Sequence, residues 1–382
     1  MYSVSDYAWM LADTPRSSGY AAAIRRTVGP DSIVLDLGCG TGFMSMIACQ
    51  AGARRVYAVE YSDVIQVARD IAAANGFADR IEFIQARSTD ITLPERANVL
   101  VSDVRGTLPL FSLGLRSVLD ARARLLTPDA TLIPRSDTVW LAVLHAPSLH
   151  DGVIGTWARS RFGLDQSAAA RLAANGWHRF EVKRRQLLLE PKCWATLDYA
   201  TQDGPDARGR VSWTADRAGT GHGLGFWFDC SLADGIGYSN APGHPRSVYG
   251  QVAVTWPRPV EIEVGDTVDV SVRADLVRED YVWSWRTSIQ AGGGAGGTKA
   301  RFEQSTFFAE PLSVSWLRKR AADHVATLTE RGEMAHLVLD AMRDGAPLRA
   351  IAERLAARYP ARFPTWRDAL DHVGDLSAEY GA

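Results

Sequence analysis

The feature that most constrains this chain is one short stretch, Ile33-Val34-Leu35-Asp36-Leu37-Gly38-Cys39-Gly40-Thr41-Gly42. An apolar run carrying one acid gives way to glycines at 38, 40 and 42. The run reads as a parallel strand covered on both faces. The glycines read as a tight strand-to-helix turn where the backbone comes close to a ligand. Phe43 to Ala51 follows with helix-compatible composition, so its first amides point back at that ligand. Glu60 closes a second short strand, Val56-Tyr57-Ala58-Val59, where an acid accepts hydrogen bonds from a ribose diol.

Dinucleotide-binding enzymes also use a strand, a glycine turn and a downstream acid. Here the turn is Asp-x-Gly-x-Gly-x-Gly, with the acid at its start. That carboxylate repels a pyrophosphate but suits the ammonium and sulfonium side of S-adenosylmethionine. The turn therefore predicts a methyl-donor site over a dinucleotide site.

The chain has 382 residues, more than one hydrophobic core usually serves. Its net charge of −2 offers no sequence-independent grip on nucleic acid. The cysteines (Cys39, Cys49, Cys193, Cys230) show no CxxC pair. Neither a zinc site nor a disulfide framework is expected, which fits a reducing cytoplasm. The first residues lack the basic and apolar regions of a signal peptide, and no run of about 18 apolar residues predicts a membrane span.

Residues 8–27 have a helical pattern, broken or restarted at Asp13-Thr14-Pro15. From 31 to about 135, strands at 33–37, 56–60, 81–84 and 98–102 alternate with helices. That alternation predicts a Rossmann-like, doubly wound parallel sheet in an α/β fold. Ligands sit beyond the carboxyl ends of such strands. Gly38, Glu60, the turn at Ser88 and Thr89, and the turn at Ser102 and Asp103 all fall there. After Pro134 come a strand-like run at 139–144, a helical insert at roughly 151–175, and many short strands. The strands are expected at 183–189, 195–199, 209–213, 224–232, 248–256, 267–273, 280–289 and 298–307, an antiparallel β-barrel. Ala291 to Gly297 reads as a hairpin tip. Residues 311–382 are expected to be helical. The domains expected are 1–137, which binds the donor; 138–310, a barrel with a helical arm at about 150–178; and 311–382, a small helical domain.

The stretch Val34 to Gly42, followed by Ala51-Gly52-Ala53-Arg54-Arg55-Val56-Tyr57-Ala58-Val59-Glu60, resembles the protein arginine N-methyltransferases. The similarity runs on through Asn75-Gly76-Phe77-Ala78-Asp79-Arg80-Ile81, Ser102-Asp103, Leu119 to Pro128, and Ile133-Pro134. It covers residues 7 to about 135, and beyond them it is a similarity of order, an arm and then a barrel. The resemblance implies S-adenosylmethionine as methyl donor and a head-to-tail homodimer built by the arm. It also implies that Arg16 holds the donor carboxylate, that Gly38 lies at the methionine part and that Glu60 binds the ribose. Asp36, Gly40 and Gly42 complete the donor turn, and Ser88 joins them as a cofactor-binding candidate. Thr89 stands where the family has an adenine-contacting glutamate, and Tyr7 where a donor-contacting histidine is common.

The acceptor side departs from the family, which clamps a guanidinium between two glutamates on one loop. Asp103 takes the first position and Ser112 the second, so one anion is gone. Arg105 lies between them where the family has methionine. The family's Thr-His-Trp stretch aligns with Ser247-Val248-Tyr249, without its histidine. Charge-assisted pairs are the strong ones in such a site, and a like charge nearby is costly. Two readings of Arg105 stay open: it turns away to pair with an acid elsewhere, or it enters the pocket to receive an acceptor carboxylate. Asp103, Ser112 and Arg105 are the candidate catalytic residues, and Asp103 is expected to orient the acceptor nitrogen. Tyr238, Asn240, Trp213, Trp227 and His244 are aromatic and polar residues of the barrel that sequence alone does not locate.

Val338 to Ala356 resembles the helical half of PqqD-type domains, which recognise leader peptides. The expected function is thus methylation of a peptide nitrogen, such as a natural-product precursor, in a cytoplasmic homodimer. The alternatives are methylation of arginine or a related guanidine, protein-bound or free, and a degenerate donor-binding module without catalysis. No nucleic acid, membrane or metal is expected as a partner.

Overall fold

The computed structural model describes residues 2–159, 161–293 and 297–381. Residue 160 of the arm and residues 294–296 of the expected hairpin tip lie outside them. By packing, the chain divides into Met1–Pro311 and Leu312–Ala382.

The first unit opens with two helices, α1 (Val4–Ala12) and α2 (Thr14–Thr27). Ser3 and Asp6 close a capping box at the start of α1. Asp13 ends α1 and caps α2, with Pro15 in the first turn. The strands β1 (Ile33–Leu37), β2 (Arg55–Val59), β3 (Ile81–Ile84), β4 (Ala97–Ser102) and β5 (Leu126–Ile133) form a parallel sheet in the order β3-β2-β1-β4-β5. Helices α3 (Phe43–Gln50), α4 (Ile65–Ala74) and α5 (Gly114–Arg124) connect them. Every residue of β1 is buried, as a central parallel strand requires. Burying Val34 and Leu35 completely contributes about 1.5–3 kcal/mol each. The register then fixes the site. Leu37 pairs with Val59 on one side and Ser102 on the other. The next residues, Gly38, Glu60 and Asp103, therefore emerge side by side from three adjacent strands, roughly 5 Å apart.

Two antiparallel sheets follow. The first holds β6 (Ser136–Leu144), β7 (Trp177–Arg179), β8 (Lys192–Asp198), β10 (Gly219–Ala233), β11 (Ile236–Ser239) and β12 (Val252–Ile262). The second holds β9 (Ala207–Thr214), β13 (Thr267–Val277), β14 (Asp280–Gln290) and β15 (Thr298–Ser305). The expected barrel is thus hydrogen-bonded as two sheets. The strand expected at 183–189 is reduced to a single bridge: Arg184–Gln186 is a 3-10 turn in which the Gln186 amide closes on the Lys183 carbonyl, and only Leu187 pairs with Leu144 at the end of β6. The arm consists of α6 (Pro147–His150), a π turn at Asp151–Gly155, α7 (Thr156–Ala158), a kinked 3-10 turn at Arg161–Gly163 and α8 (Ser167–Ala173). One continuous apolar core runs from the parallel sheet into both antiparallel sheets, so the boundary expected at 137–138 falls inside the first unit.

The second unit contains α9 (Val314–Arg318), α10 (Glu330–Arg343), α11 (Leu348–Arg358) and α12 (Trp366–Tyr380). It has its own core of Met334, Val338, Ile351, Leu355, Phe363 and Val373. Thr329 and Thr365 cap α10 and α12 through their hydroxyls.

Candidate active site

At the end of β1, Gly38, Gly40 and Gly42 have φ of 76°, 53° and 77°. These are left-handed values that glycine adopts without strain. A Cβ on Gly38 would lie 2.9 Å from Val104 Cγ1, and one on Gly40 would lie 2.4 Å from the Tyr7 ring. The turn is therefore walled by the residue after Asp103 on one side and by α1 on the other. Asp36 is buried beneath it and accepts from Ser45 Oγ at 2.6 Å. Burial pushes its carboxyl up to about 6, against the opposing pull of that hydrogen bond. Glu60 Oε2 accepts the Gly40 amide at 3.2 Å, and Oε1 accepts the Ser62 amide and hydroxyl at 3.0 and 2.8 Å. A carboxylate has about four lone-pair sites, so Glu60 keeps capacity for a ribose hydroxyl. Burial and the nearby Glu60 push the Tyr7 hydroxyl up, so it stays a neutral donor. Ser88 and Thr89 form a 3-10 turn beyond β3, and both carbonyls accept from Arg124 of α5. Ser88 is buried, while Thr89 is exposed and its hydroxyl goes to Asp90.

At the end of β4 side chains dominate. Asp103 Oδ2 accepts from Arg16 Nε at 2.6 Å, Arg16 Nη2 at 2.5 Å and the Tyr249 hydroxyl at 2.5 Å. Its Oδ1 accepts from Arg105 Nη1 at 2.8 Å. Burial alone would raise this carboxyl, but Arg16, Arg105 and Tyr249 together hold it below the ordinary aspartate value. Arg16 also donates to the Met10 carbonyl at 3.0 Å, tying the end of α1 to the start of α2. Asp13 accepts from Ser247 Oγ and the Val248 amide, which brings the segment carrying Tyr249 over the same spot.

Of the two readings of Arg105, the geometry follows the first in pairing it with an acid elsewhere, yet Arg105 does not leave Asp103, whose Oδ1 it also holds. The side chain is buried and grips Asp137 of β6 with two parallel bonds, Nε to Oδ2 at 2.8 Å and Nη2 to Oδ1 at 3.1 Å. It also reaches the Tyr20 and Tyr238 hydroxyls and Cys230 Sγ. Tyr199 donates to Asp137 as well. Ser112 is not part of this network. It has φ of 45°, and its amide donates to Asp280 Oδ1 at 3.4 Å on the β14 side.

The structure thus brings together Tyr7, Arg16, Asp36, the three glycines, Glu60, Asp103 and Arg105, and leaves Ser112 and Thr89 at the edge. Sequence reading missed Asp137, Tyr20, Tyr199 and Cys230. The available signal was Asp137 itself, an acid just ahead of the apolar run Val139–Leu144. Tyr238 stacks on Tyr249 with ring centroids 6.0 Å apart. Asn240 braces the backbone at Phe228, Trp213 and Trp227 are buried, and His244 is exposed. Among the described residues no cluster of three histidines, cysteines or acids is set to hold a metal ion, and no helix is long and apolar enough to cross a membrane.

The donor turn fits S-adenosylmethionine. Its positive-φ backbone leaves no room for side chains, Glu60 faces it from β2, and Asp36 puts a carboxylate under it.

Comparison with known proteins agrees. A methyltransferase-domain family model matches residues 34–129. Protein arginine N-methyltransferase 2 of Mus musculus is 33% identical over 276 residues, 68% of this chain and 61% of that protein. The Homo sapiens protein of the same name is 32% identical over 297 residues, 73% of this chain and 68% of that one. The chain thus spans about three-fifths to two-thirds of the length of these relatives. The solved Trypanosoma brucei PRMT1 enzyme-prozyme heterotetrameric complex with AdoHcy superimposes with a TM-score of 0.71 at 25% identity, covering 78% of this chain and 97% of that one. Arabidopsis thaliana protein arginine methyltransferase 10 shares the fold at a TM-score of 0.69 and 22% identity, covering 80% of this chain and 98% of that one. Relatives, solved folds and a glycine turn beside a strand-end acid converge on one conclusion: the chain belongs to the protein arginine N-methyltransferase family of S-adenosylmethionine-dependent methyltransferases.

Proposed function

We propose that this chain is an S-adenosylmethionine-dependent N-methyltransferase whose acceptor is a peptide nitrogen other than an arginine clamped between two carboxylates. One observation carries the reading: an intact donor turn lies beside an acceptor acid already held by two of the chain's own arginines. Gly38, Gly40, Gly42, Asp36 and Glu60 would hold the donor, with Tyr7 covering the turn. Bound there, the donor supplies an electrophilic methyl carbon on a sulfonium. The chain's own task is then to align the acceptor nitrogen and exclude water. Asp103, ionised and rigidly held, would orient the acceptor through the one part of Oδ1 that Arg105 leaves open. Ser112 lies outside the network around Asp103, with its amide turned to Asp280.

The helical unit at 312–382 would bring the peptide in, as its resemblance to leader-binding helices suggests. A homodimer through the arm is supported by Trp157, Phe162 and Leu172, apolar side chains left exposed there.

The test is incubation of the full chain with isotopically labelled donor and candidate acceptors, read by mass spectrometry. A labelled peptide nitrogen is expected. Transfer to arginine-rich proteins at rates ordinary for the family would contradict the proposal. Donor binding without transfer to any acceptor would favour the non-catalytic alternative, to which the two arginines on Asp103 also lend weight. Asp103→Ala should lower turnover far more than donor affinity; equal losses in both would remove Asp103 from the role.

A further inference from the structure

Four buried charges meet at the end of β4, and they cancel. The side chains of Asp103 and Asp137 are 6% and 0% exposed, and those of Arg16 and Arg105 are 8% and 3%. Arg105 has five N–H donors, and every one has an acceptor. Nε and one Nη2 proton go to Asp137, the other Nη2 proton faces Cys230 Sγ, and Nη1 serves Asp103, Tyr20 and Tyr238. The guanidinium also lies over the Phe228 ring, 5.7 Å from its centroid. So Arg105 has nothing left to lend an incoming carboxylate, and it already occupies Asp103 Oδ1.

We propose that Arg105 is the specificity-determining residue of the acceptor site, making it select a nitrogen that is uncharged when methylated and reject a cationic guanidinium. The inference rests on the methyltransferase reading above. A guanidinium entering beside Asp103 would be a third buried cation against two carboxylates already paired, and like charges in a sealed site are costly. An uncharged nitrogen meets no such barrier. Its lone pair forms the new N–C bond while the C–S bond of the sulfonium breaks and leaves its electron pair on sulfur. The positive charge passes from sulfur to nitrogen, which then releases a proton to solvent. The total charge in the pocket is the same before and after transfer, so no further buried carboxylate is needed. A neutral amine or imidazole nitrogen meets these terms.

The experiment compares two capped glycine peptides, one with a central arginine and one with citrulline, its uncharged counterpart. Both are titrated by calorimetry into the full chain with S-adenosylhomocysteine present. The ratio of arginine-peptide to citrulline-peptide affinity is expected at or below one for the wild type. Arg105→Met should raise it at least tenfold, whereas Arg105→Lys, which keeps the charge, should leave it unchanged. A merely structural arginine would change stability without moving this ratio. If Arg105→Met fails to fold, Arg105→Met/Asp137→Asn removes the orphaned acid and is read the same way. A wild type that prefers arginine tenfold overturns the proposal. So does a folded variant with an unmoved ratio, or one that binds neither peptide. S-adenosylhomocysteine affinity is measured first: its absence in the wild type defeats the methyltransferase reading, whereas its presence with an unmoved ratio defeats only the role of Arg105.

Discussion

At the end of β1 the ligand surface is backbone: three left-handed glycines with acids placed behind and beside them. At the end of β4, one strand away, it is side chain: two carboxylates, two guanidiniums and the tyrosine hydroxyls that bridge them. The first surface leaves hydrogen-bonding capacity open. The second has spent nearly all of it internally. Within one sheet, then, the same strand-end position is built once to receive a ligand and once to hold itself closed.

Breaking the closed half should have the largest effect. Asp137→Ala leaves Arg105 buried without its main partner, and a loss of about 3–5 kcal/mol in denaturant unfolding is expected. Replacing both, as in Arg105→Met/Asp137→Leu, should restore most of that stability, because no charge is left orphaned. A mild single variant would show that the pair is not the clasp between the sheets.

Next comes Asp36, under the open half. Its carboxyl sits at about 6 in the fold against an ordinary 3.8. A raised carboxyl favours folding when protonated, so that contribution is full below about pH 4 and fades as pH climbs through 6. By pH 7.5 the charged form costs about 3 kcal/mol. Asp36→Asn should therefore stabilise the fold at pH 7.5 and not at pH 4, as read by unfolding at both. Donor affinity should run the other way, falling as pH drops through about 6, because the cationic donor favours the charged carboxylate.

Glu60→Gln sharpens the comparison on the ligand side. Losing one charge-assisted acceptor should weaken S-adenosylhomocysteine binding about tenfold to a hundredfold by calorimetry, and the amide NH2 set against the Gly40 or Ser62 N–H should cost about 1–3 kcal/mol of stability. The smallest effect belongs to Ser112. With φ of 45°, Ser112→Gly should stabilise the chain by about 0.5–1 kcal/mol, read as a shift in thermal midpoint.

The open half was legible in the sequence because it depends on local chemistry. Glycine spacing fixes a turn, and an acid one strand away follows from parallel register. The closed half was not. Arg105 and Asp137 are 32 positions apart, and Tyr249 reaches Asp103 across 146. Pairs that distant leave only a hint, such as Asp137, a charge just ahead of an apolar run. The segment at 183–189 was misread for a related reason: its run Leu187-Leu188-Leu189 suits a strand, but Arg184–Gln186 turns first and only Leu187 is left to bridge to β6. The helical insert and the helical tail were expected from the sequence, and what they touch was not.

Calorimetric titration of the purified full chain with S-adenosylhomocysteine tests the central claim most directly. Saturable one-to-one binding that Gly40→Val abolishes is the predicted result. Absence of any binding heat at protein and ligand concentrations well above those that saturate related enzymes would contradict it.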